Sequence, residues 1–364
     1  MTRDAEKGSA YAAAGVDIDA QERALDEIKR LARGTFTPGV LSEVGSFGGL
    51  FRPDLAGVED PVLVASADGV GTKLMVARRV GDFSTVGVDL VNHCVNDVLV
   101  QGARPLFFLD YLGAGELEPE AATELVAGVA RACRDNGCAL LGGEMAEMPG
   151  LYPRGEYELV GFVVGLVDRA AILDGSKVRP RDVLVGLPSS GLHTNGYSLA
   201  RKVFFDRLGL SADDPIPGST SREGVGRRLL EPHLSYLEPL APLLGHPGLH
   251  ALAHVTGGGL TDNLPRVLPS GCHAQVRLGT WEIPEIFRLL ESHGGVGAAE
   301  MLRVFNMGVG MVAVVDPAAL AEVLGKLESA GHRAAPIGTV QEGGSGVVYE
   351  LAQGAVDRGD GPGW

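Results

Sequence analysis

The sequence predicts a mixed α/β protein built as two domains. Three observations carry that expectation. At 364 residues the chain is long enough for two units of the usual ~100–200 residues each. Strand-patterned and helix-patterned runs alternate through both halves. The 53 glycines, about twice the usual ~7%, fall without period between apolar runs, which suits tight turns and close backbone–ligand approach.

Residues 1–60 are read as an N-terminal extension. Within it "DAQERALDEIKRLAR" (19–33) has helical spacing, with Leu25, Ile28 and Leu31 on one stripe, and a glycine-rich loop follows. A first domain is expected over 61–168. There "PVLVASAD" reads as a buried strand, "VGVDLVNHCVNDVLVQG" as a helix and "RPLFFLDYL" as a strand. "EPEAATELVAGVARACRDNG" reads as a helix with acids in its first turn and a glycine stop. "CALLGGE" and "YELVGFVVGLVD" complete it as strands. Residues 169–180 read as a linker, 181–352 as a second α/β domain and 353–364 as a loose tail. In the second domain "DVLVGLPSSGLHTNG" is a strand running into a polar loop, "YSLARKVFFDRLG" a helix, and "LHALAHVTGGG" a strand entering a glycine loop. "LTDNLPRVL" is a short helix. "CHAQVRL", "MGVGMVAVV" and "GVVYEL" are strands, with helices near 284–293 and 317–330.

A formal net charge of −15 disfavours nucleic acid as a partner, so an anionic small ligand needs local cations, helix N-termini or a divalent metal. The four cysteines have no metal-ligand spacing and read as buried thiols of a reducing compartment. With no signal pattern and no apolar run of membrane-spanning length, the expectation is a cytoplasmic protein with no membrane contact.

The chemistry-bearing stretches are short. In "SADGVGTKL" (66–74) a strand ends at Asp68, and Gly69 and Gly71 let the backbone approach a ligand. Thr72 precedes Lys73, so this is not a P-loop. Lys73 is either a point charge for a phosphate or a surface lysine on a turn. Along 86–102, Asp89, Asn92, His93, Asn96 and Asp97 fall within an arc of about 140° on a helix. That stripe holds neither Lys nor Glu, so it is either a buried network satisfying itself or a face offering oxygens to a hard cation such as magnesium. "LGGEMAEMPG" (141–150) delivers a further carboxylate, Glu144, after two glycines. "LPSSGLHTNGYSLAR" (187–201) sets Ser189, Ser190, His193, Thr194 and Asn195 ahead of a helix start, which offers N–H groups to an anion or is simply N-capped by Asn195 or Thr194. "AHVTGGGLTDNLPR" (253–266) sets Gly257 and Gly258 after His254, a candidate general base or phosphate donor, or a satisfied structural histidine. His246, His250 and His254 are spaced four apart, but Pro247 and Gly248 argue against a helical zinc pair.

Together with "YAAAGVDIDA" (11–20), "NDVLVQGARP" and "FNMGVGM" (305–311), these segments resemble, in order, the AIR synthetase (phosphoribosylformylglycinamidine cyclo-ligase) family over roughly residues 8–350. The Asp97-x4-Gly102-Ala103-x-Pro105 segment resembles the signature of a wider ATP-binding superfamily that includes thiamine-monophosphate kinase and a hydrogenase maturation protein. Gln21 and Met145 depart from the family pattern, where Gly and Thr are usual. The resemblance implies an AIR synthetase-like homodimer whose N-terminal domains pair into a β-barrel. It also implies ATP-dependent closure of formylglycinamidine ribonucleotide to aminoimidazole ribonucleotide, with ADP and phosphate released. Under it Asp68 and Asp97 would hold Mg²⁺ with Glu144 as a third ligand, Lys73 would stabilise the transferring phosphate, and His254 would bind phosphate or move a proton. Asp97 is therefore both a catalytic and a metal residue in this reading. Lys29, Gly69, Gly71, Thr72 and Asn96 are expected to contact ATP or its phosphates. So are Ser189, Ser190, Asn195, Gly257 and Gly258. The rivals are another small-molecule kinase or synthetase of the superfamily and a non-catalytic nucleotide-binding dimer.

Overall fold

The computed structural model describes residues 18–351. The 353–364 tail, the start of the N-terminal extension and the side chain of Gln21 lie outside the described residues.

Helix α1 (Ile18–Arg33) turns the stripe of Ile28 and Leu31 toward the core, while Glu27 pairs with Arg30 outside. A first sheet follows from β1 (Pro61–Gly69), β2 (Arg104–Ala114), β3 (Ala139–Glu147) and β4 (Tyr157–Asp168), in the order β1-β4-β2-β3. Between these strands run α2 (Lys73–Val80), α3 (Val86–Leu99) and α4 (Pro119–Asp135). Helix α4 starts with Pro119 in its first turn and Glu120 beside it, as a helix N-terminus favours. It crosses α3 at Gly87 and Gly128, where a Cβ on Gly87 would collide with the Leu125 carbonyl. That closeness presses α3 onto β1, β4 and β2. The helices cover one face of the sheet only. β1 is consequently not the fully buried strand its apolar run suggests: alternate residues are exposed, Leu63 at 65%. Being at the sheet edge with one uncovered face explains the difference.

The second sheet has six strands: β5 (Val183–Pro188), β6 (Leu249–His254), β7 (Cys272–Leu278), β8 (Val309–Val315), β9 (Ala335–Glu342) and β10 (Val347–Leu351), in the order β10-β7-β9-β5-β8-β6. β10 and β7 are parallel and the other neighbours antiparallel. Its connections carry the short helices α5 (Tyr197–Arg201), α6 (Val225–Leu229), α7 (Leu237–Leu240) and α8 (Gly259–Asn263), then α9 (Glu285–Gly294), α10 (Ala298–Val304) and α11 (Leu320–Ser329). The helix expected over 197–209 runs from α5 into a wider π-helical turn at Lys202–Arg207. Strand β9, "APIGTVQE", lacks a continuous apolar run and lies where the sequence pattern indicates no strand. It is completed only by its place between β5 and β7. β5 and β8 are almost wholly buried because clusters around Leu184 and Leu252 pack on opposite faces of this sheet.

One continuous apolar cluster joins the halves, running from Leu90 and Phe108 to Phe204, Phe287 and Phe305. The loops between the sheets are therefore held on two packed walls. All four cysteines are buried and free, as expected.

Candidate active site

The site lies where the end of β1, the inner face of α3 and the end of β6 meet. Gly71, at φ +56°, takes the backbone through a left-handed turn that frees Asp68 from the start of α2. Asp68 then faces α3, where His93 and Asp97 stand one helical turn apart. Ser66 Oγ lies 3.1 Å from Asp68 Oδ2 and 3.2 Å from Asp97 Oδ2, so two carboxylates 29 positions apart meet over one hydroxyl. His93 Nε2 is 3.6 Å from Asp68 Oδ1. From the second sheet, His254 Nδ1 approaches Asp97 Oδ1 at 2.8 Å.

Burial, and then the neighbouring Asp97 carboxylate, push Asp68 up to about 6. Burial acts on Asp97 in the same sense, but the hydrogen bond and charge of His254 outweigh it and hold Asp97 down at about 2. The two carboxylates interact, so the first proton taken up belongs to the pair. Burial, then repulsion from His254, lowers His93 to about 4, so its ring is neutral near pH 7.

Two more histidines complete the cluster. His233 Nε2 is 3.1 Å from His254 Nε2, and His233 Nδ1 is 3.3 Å from Thr194 Oγ1, which is 2.8 Å from His93 Nδ1. His193 stacks on His233 with ring centroids 4.0 Å apart. Burial drives both His193 and His233 well below the usual histidine range. The contacts close a ring from Asp68 through His93, Thr194, His233, His254, Asp97 and Ser66 back to Asp68.

This geometry sits on a chain whose sequence matches the AIR synthase related protein N-terminal domain over residues 53–167 and the C-terminal domain over residues 179–350. The chain belongs to the AIR synthase related family. The phosphoribosylformylglycinamidine cyclo-ligase of Trichlorobacter lovleyi is 50% identical to it over 331 residues, 91% of this chain and 94% of the relative. That of Desulfitobacterium hafniense is 46% identical over 342 residues, 94% of this chain and 99% of the relative. Among solved structures, thiamine-monophosphate kinase from Stenotrophomonas maltophilia superposes with a TM-score of 0.65 at 18% identity, covering 90% of this chain and 96% of that one. The hydrogenase maturation protein HypE in complex with ATP gives 0.65 at 20% identity, covering 96% and 93%. At those identities the two structures establish the fold alone, a two-domain mixed α/β fold of the AIR synthase type.

Several residues expected at the site of this family member lie elsewhere. Lys73 is fully buried, with Nζ 2.8 Å from Asp89 Oδ2, 3.2 Å from the His193 carbonyl and 2.7 Å from the Glu231 carbonyl. Every donor direction of the ammonium is occupied, so it cannot reach a phosphate. Burial pulls Lys73 down and pushes Asp89 up, and their mutual attraction opposes both shifts. Asn96 is likewise withdrawn: its Oδ1 accepts from Tyr236 N at 2.9 Å, and its Nδ2 donates to the Leu234 carbonyl at 2.9 Å and faces His233 Nε2 at 3.2 Å. The polar stripe of α3 thus divides. Asp89, Asn92 and Asn96 clasp segment 231–236, while His93 and Asp97 face the site.

Glu144 does not join Asp68 and Asp97 within one chain. The register runs Asp68–Gly161–Asp110–Gly143, and strand order leaves two strands between β1 and β3, roughly 14 Å at the usual strand spacing. Glu144, one residue on, also points to the other sheet face. It lines a cavity of about 460 Å³ with Gly45 and Asp110. Lys29 stands near that cavity, against Gly45 and 3.9 Å from Asp26. Burial pushes Asp110 up to about 7, although the cavity leaves part of it open. Met145 packs against the core beside this cavity.

The remaining expected contacts border the cleft. Gly69 ends β1, and Thr72 Oγ1 is 3.3 Å from Ser198 Oγ across the two halves. Gly257 lies against Asn195, and Gly258 (φ +100°) opens α8. The hydroxyls of Ser189 and Ser190 are spent within the protein, Ser189 on Gly191 and Asn306, Ser190 on the Pro232 carbonyl. His250 pairs with Asp182 at 2.7 Å, far in role from His254. Sequence reasoning missed His233, which sits in "EPHLSY" without period or glycine signal. Its one trace is the buried-amide pattern of α3, which needs a partner segment.

Proposed function

We propose that this chain closes the ring of formylglycinamidine ribonucleotide, with ATP, to give aminoimidazole ribonucleotide, ADP and phosphate in purine synthesis. Relatives that carry the cyclo-ligase name are about half identical over more than nine-tenths of the chain. The structural observation behind the reading is the meeting of Asp68 and Asp97 over Ser66, closed by His254 from the second sheet.

An amide oxygen is a poor leaving group. Transfer of the γ-phosphoryl group of ATP to the formyl oxygen makes it a good one. The amidine nitrogen then attacks the formyl carbon, phosphate departs and the nitrogen gives up a proton. The protein's part is positioning and charge neutralisation. His254, oriented by Asp97, and His93 stand beside the carboxylates as proton acceptors. Backbone N–H groups at Gly257 and Gly258, with Asn195 opposite, form a cradle for phosphate oxygens. The carboxylate pair fits a divalent cation: one of two adjacent acids is driven to keep a proton, which a cation can replace. Asp68 and Asp97 would hold Mg²⁺, whose contribution is to neutralise the phosphates of ATP.

The reading places the protein in the cytoplasm as a homodimer of chains with domains over 61–168 and 181–352 joined by 169–180. The uncovered face of the first sheet supports pairing into a barrel. It presents Leu63 and Phe162, 65% and 40% exposed, with Ala65 and Ala67. Among the described residues no helix is long and apolar enough to cross a membrane.

The test is incubation with ATP and formylglycinamidine ribonucleotide. Equal amounts of ADP and a diazotisable aromatic amine are expected. ADP with a phosphorylated, open-chain product would make the chain a kinase, and ATP binding without ADP would make it a nucleotide-binding dimer.

A further inference from the structure

We infer, resting on the proposed function only for the role of His254 in the reaction, that Asn92 and Asn136 are positioning residues for His254. These two buried amides act on it through the backbone of His233.

The His254 ring is held at both ends. Asp97 Oδ1 lies 2.8 Å from its Nδ1, and His233 Nε2 lies 3.1 Å from its Nε2. A ring with one contact swings about it; contacts on opposite sides leave one orientation. Asp97 stands on α3. His233 stands in segment 231–236, which has no helix or strand of its own to fix it. Helix α3 supplies the missing frame. Asp89 Oδ1 accepts from His233 N at 2.6 Å, and Asn92 Nδ2 donates to the His233 carbonyl at 2.7 Å. One turn on, Asn96 accepts from Tyr236 N and donates to the Leu234 carbonyl, both at 2.9 Å. Asp89, Asn92 and Asn96 share one face at spacings of three and four. His93 and Asp97 follow the two asparagines directly, about 100° around the helix. Both partners of the His254 ring are thereby referenced to the same helix.

Asn92 cannot fix its own amide. Turned over, it would set Oδ1 against the His233 carbonyl, oxygen to oxygen. Asn136 prevents that. Its Nδ2 donates to Asn92 Oδ1 at 2.9 Å and to the Ala132 carbonyl at 2.8 Å. Its Oδ1 accepts from Ser235 Oγ at 2.5 Å, and that hydroxyl accepts from Leu237 N at 3.2 Å. Each bond in the series fixes the sense of the next. Asn136 caps the end of α4, with its N–H on the Ala132 carbonyl, so α4 is a second rigid anchor. Both amide oxygens are consumed, which leaves the pair holding a neighbour rather than a ligand.

The test uses Asn92→Leu, which keeps the shape but donates nothing, and Asn136→Ala, which leaves the backbone bond ending α4. Leu327→Ala, in the core beneath α11, is the comparison for destabilisation alone. A misplacement of about 1 Å costs ~100-fold in rate, so kcat should fall by up to that factor in Asn92→Leu and by less in Asn136→Ala. KM for ATP and for formylglycinamidine ribonucleotide should stay unchanged in both. Leu327→Ala should lower the urea midpoint and leave kcat alone. The double asparagine variant should fall no further than Asn92→Leu, since the two act along one path. Diethylpyrocarbonate labelling of His254 in the ATP-free protein, read by peptide mass spectrometry, should quicken in both asparagine variants and not in Leu327→Ala. An unaltered kcat in Asn92→Leu overturns the inference, as does an equal fall in Leu327→Ala or unchanged labelling of His254. If Asn92→Leu does not fold, Asn136→Ala is held to the same outcomes. Labelling needs no turnover. A chain that forms no aminoimidazole ribonucleotide removes the proposed reaction, and the labelling of His254 still decides its positioning.

Discussion

Lys73→Met should lower stability before it touches chemistry. The ammonium is sealed from solvent and holds three acceptors: Asp89 on α3, and the carbonyls of His193 and Glu231 in the second half. Methionine fills a similar volume but donates nothing. Asp89 would keep one strong donor, His233 N at 2.6 Å, and would face a charged state with no counter-ion. Removing one partner of a buried pair costs about 3–5 kcal/mol. Two carbonyls left short of a hydrogen bond add ~1 kcal/mol each. The sum, on the order of 5–7 kcal/mol, is a large part of the roughly 5–15 kcal/mol that stabilises a domain. The assay is urea unfolding followed by fluorescence, with turnover measured below the transition. Lys73→Met/Asp89→Asn removes both charges together while the amide oxygen still accepts from His233 N, and should recover much of the lost midpoint because no orphaned carboxylate remains. A Lys73→Met protein with the original urea midpoint but depressed turnover would refute this reasoning. It would return Lys73 to the phosphate.

Asp97→Asn should abolish ATP-dependent turnover in a protein that still folds, with a lowered urea midpoint at neutral pH because the charge pair with His254 is lost, and unchanged turnover would remove Asp97 from the reaction. Asp68, raised from 3.8 to about 6, binds its proton more tightly folded than unfolded. Its ionisation therefore costs stability as pH rises from about 4 through 6, and the cost is absent below that window. Asp68→Asn should be more stable than the parent at pH 8 and equal to it near pH 4 by thermal melts without divalent ions. Adding Mg²⁺ at pH 8 should raise the parent's melting temperature and leave Asp68→Asn unmoved; equal responses would separate Asp68 from any cation. Leu63→Asp with Phe162→Glu should convert the dimer to monomer in sedimentation velocity, since both face outward from the first sheet. An unchanged sedimentation coefficient would place the interface elsewhere.

Much of the secondary structure was readable because it depends on local period. The stripe of α1, the acids and proline at the start of α4, and the apolar runs of β5 and β8 needed no partner to be seen. The same locality explains the errors. Lys73 read as a phosphate cation because nothing near it in sequence shows that His193 and Glu231 cap it from the other half. Asn96 read as a ligand contact because its real partner, segment 231–236, carries no pattern. Glu144 read as a third metal ligand because three glycine-flanked carboxylates look alike until strand order separates them.

What the sequence by itself determined was the alternation of elements, the carboxylate ending β1 and the polar face of α3, since turn chemistry and helical period are set by neighbouring residues. What only the tertiary structure decided was which polar residues face a ligand and which are consumed in holding the halves together. That choice depends on contacts between residues more than 100 positions apart, such as Asp97 with His254 and Asn96 with Tyr236, and no local spacing encodes them.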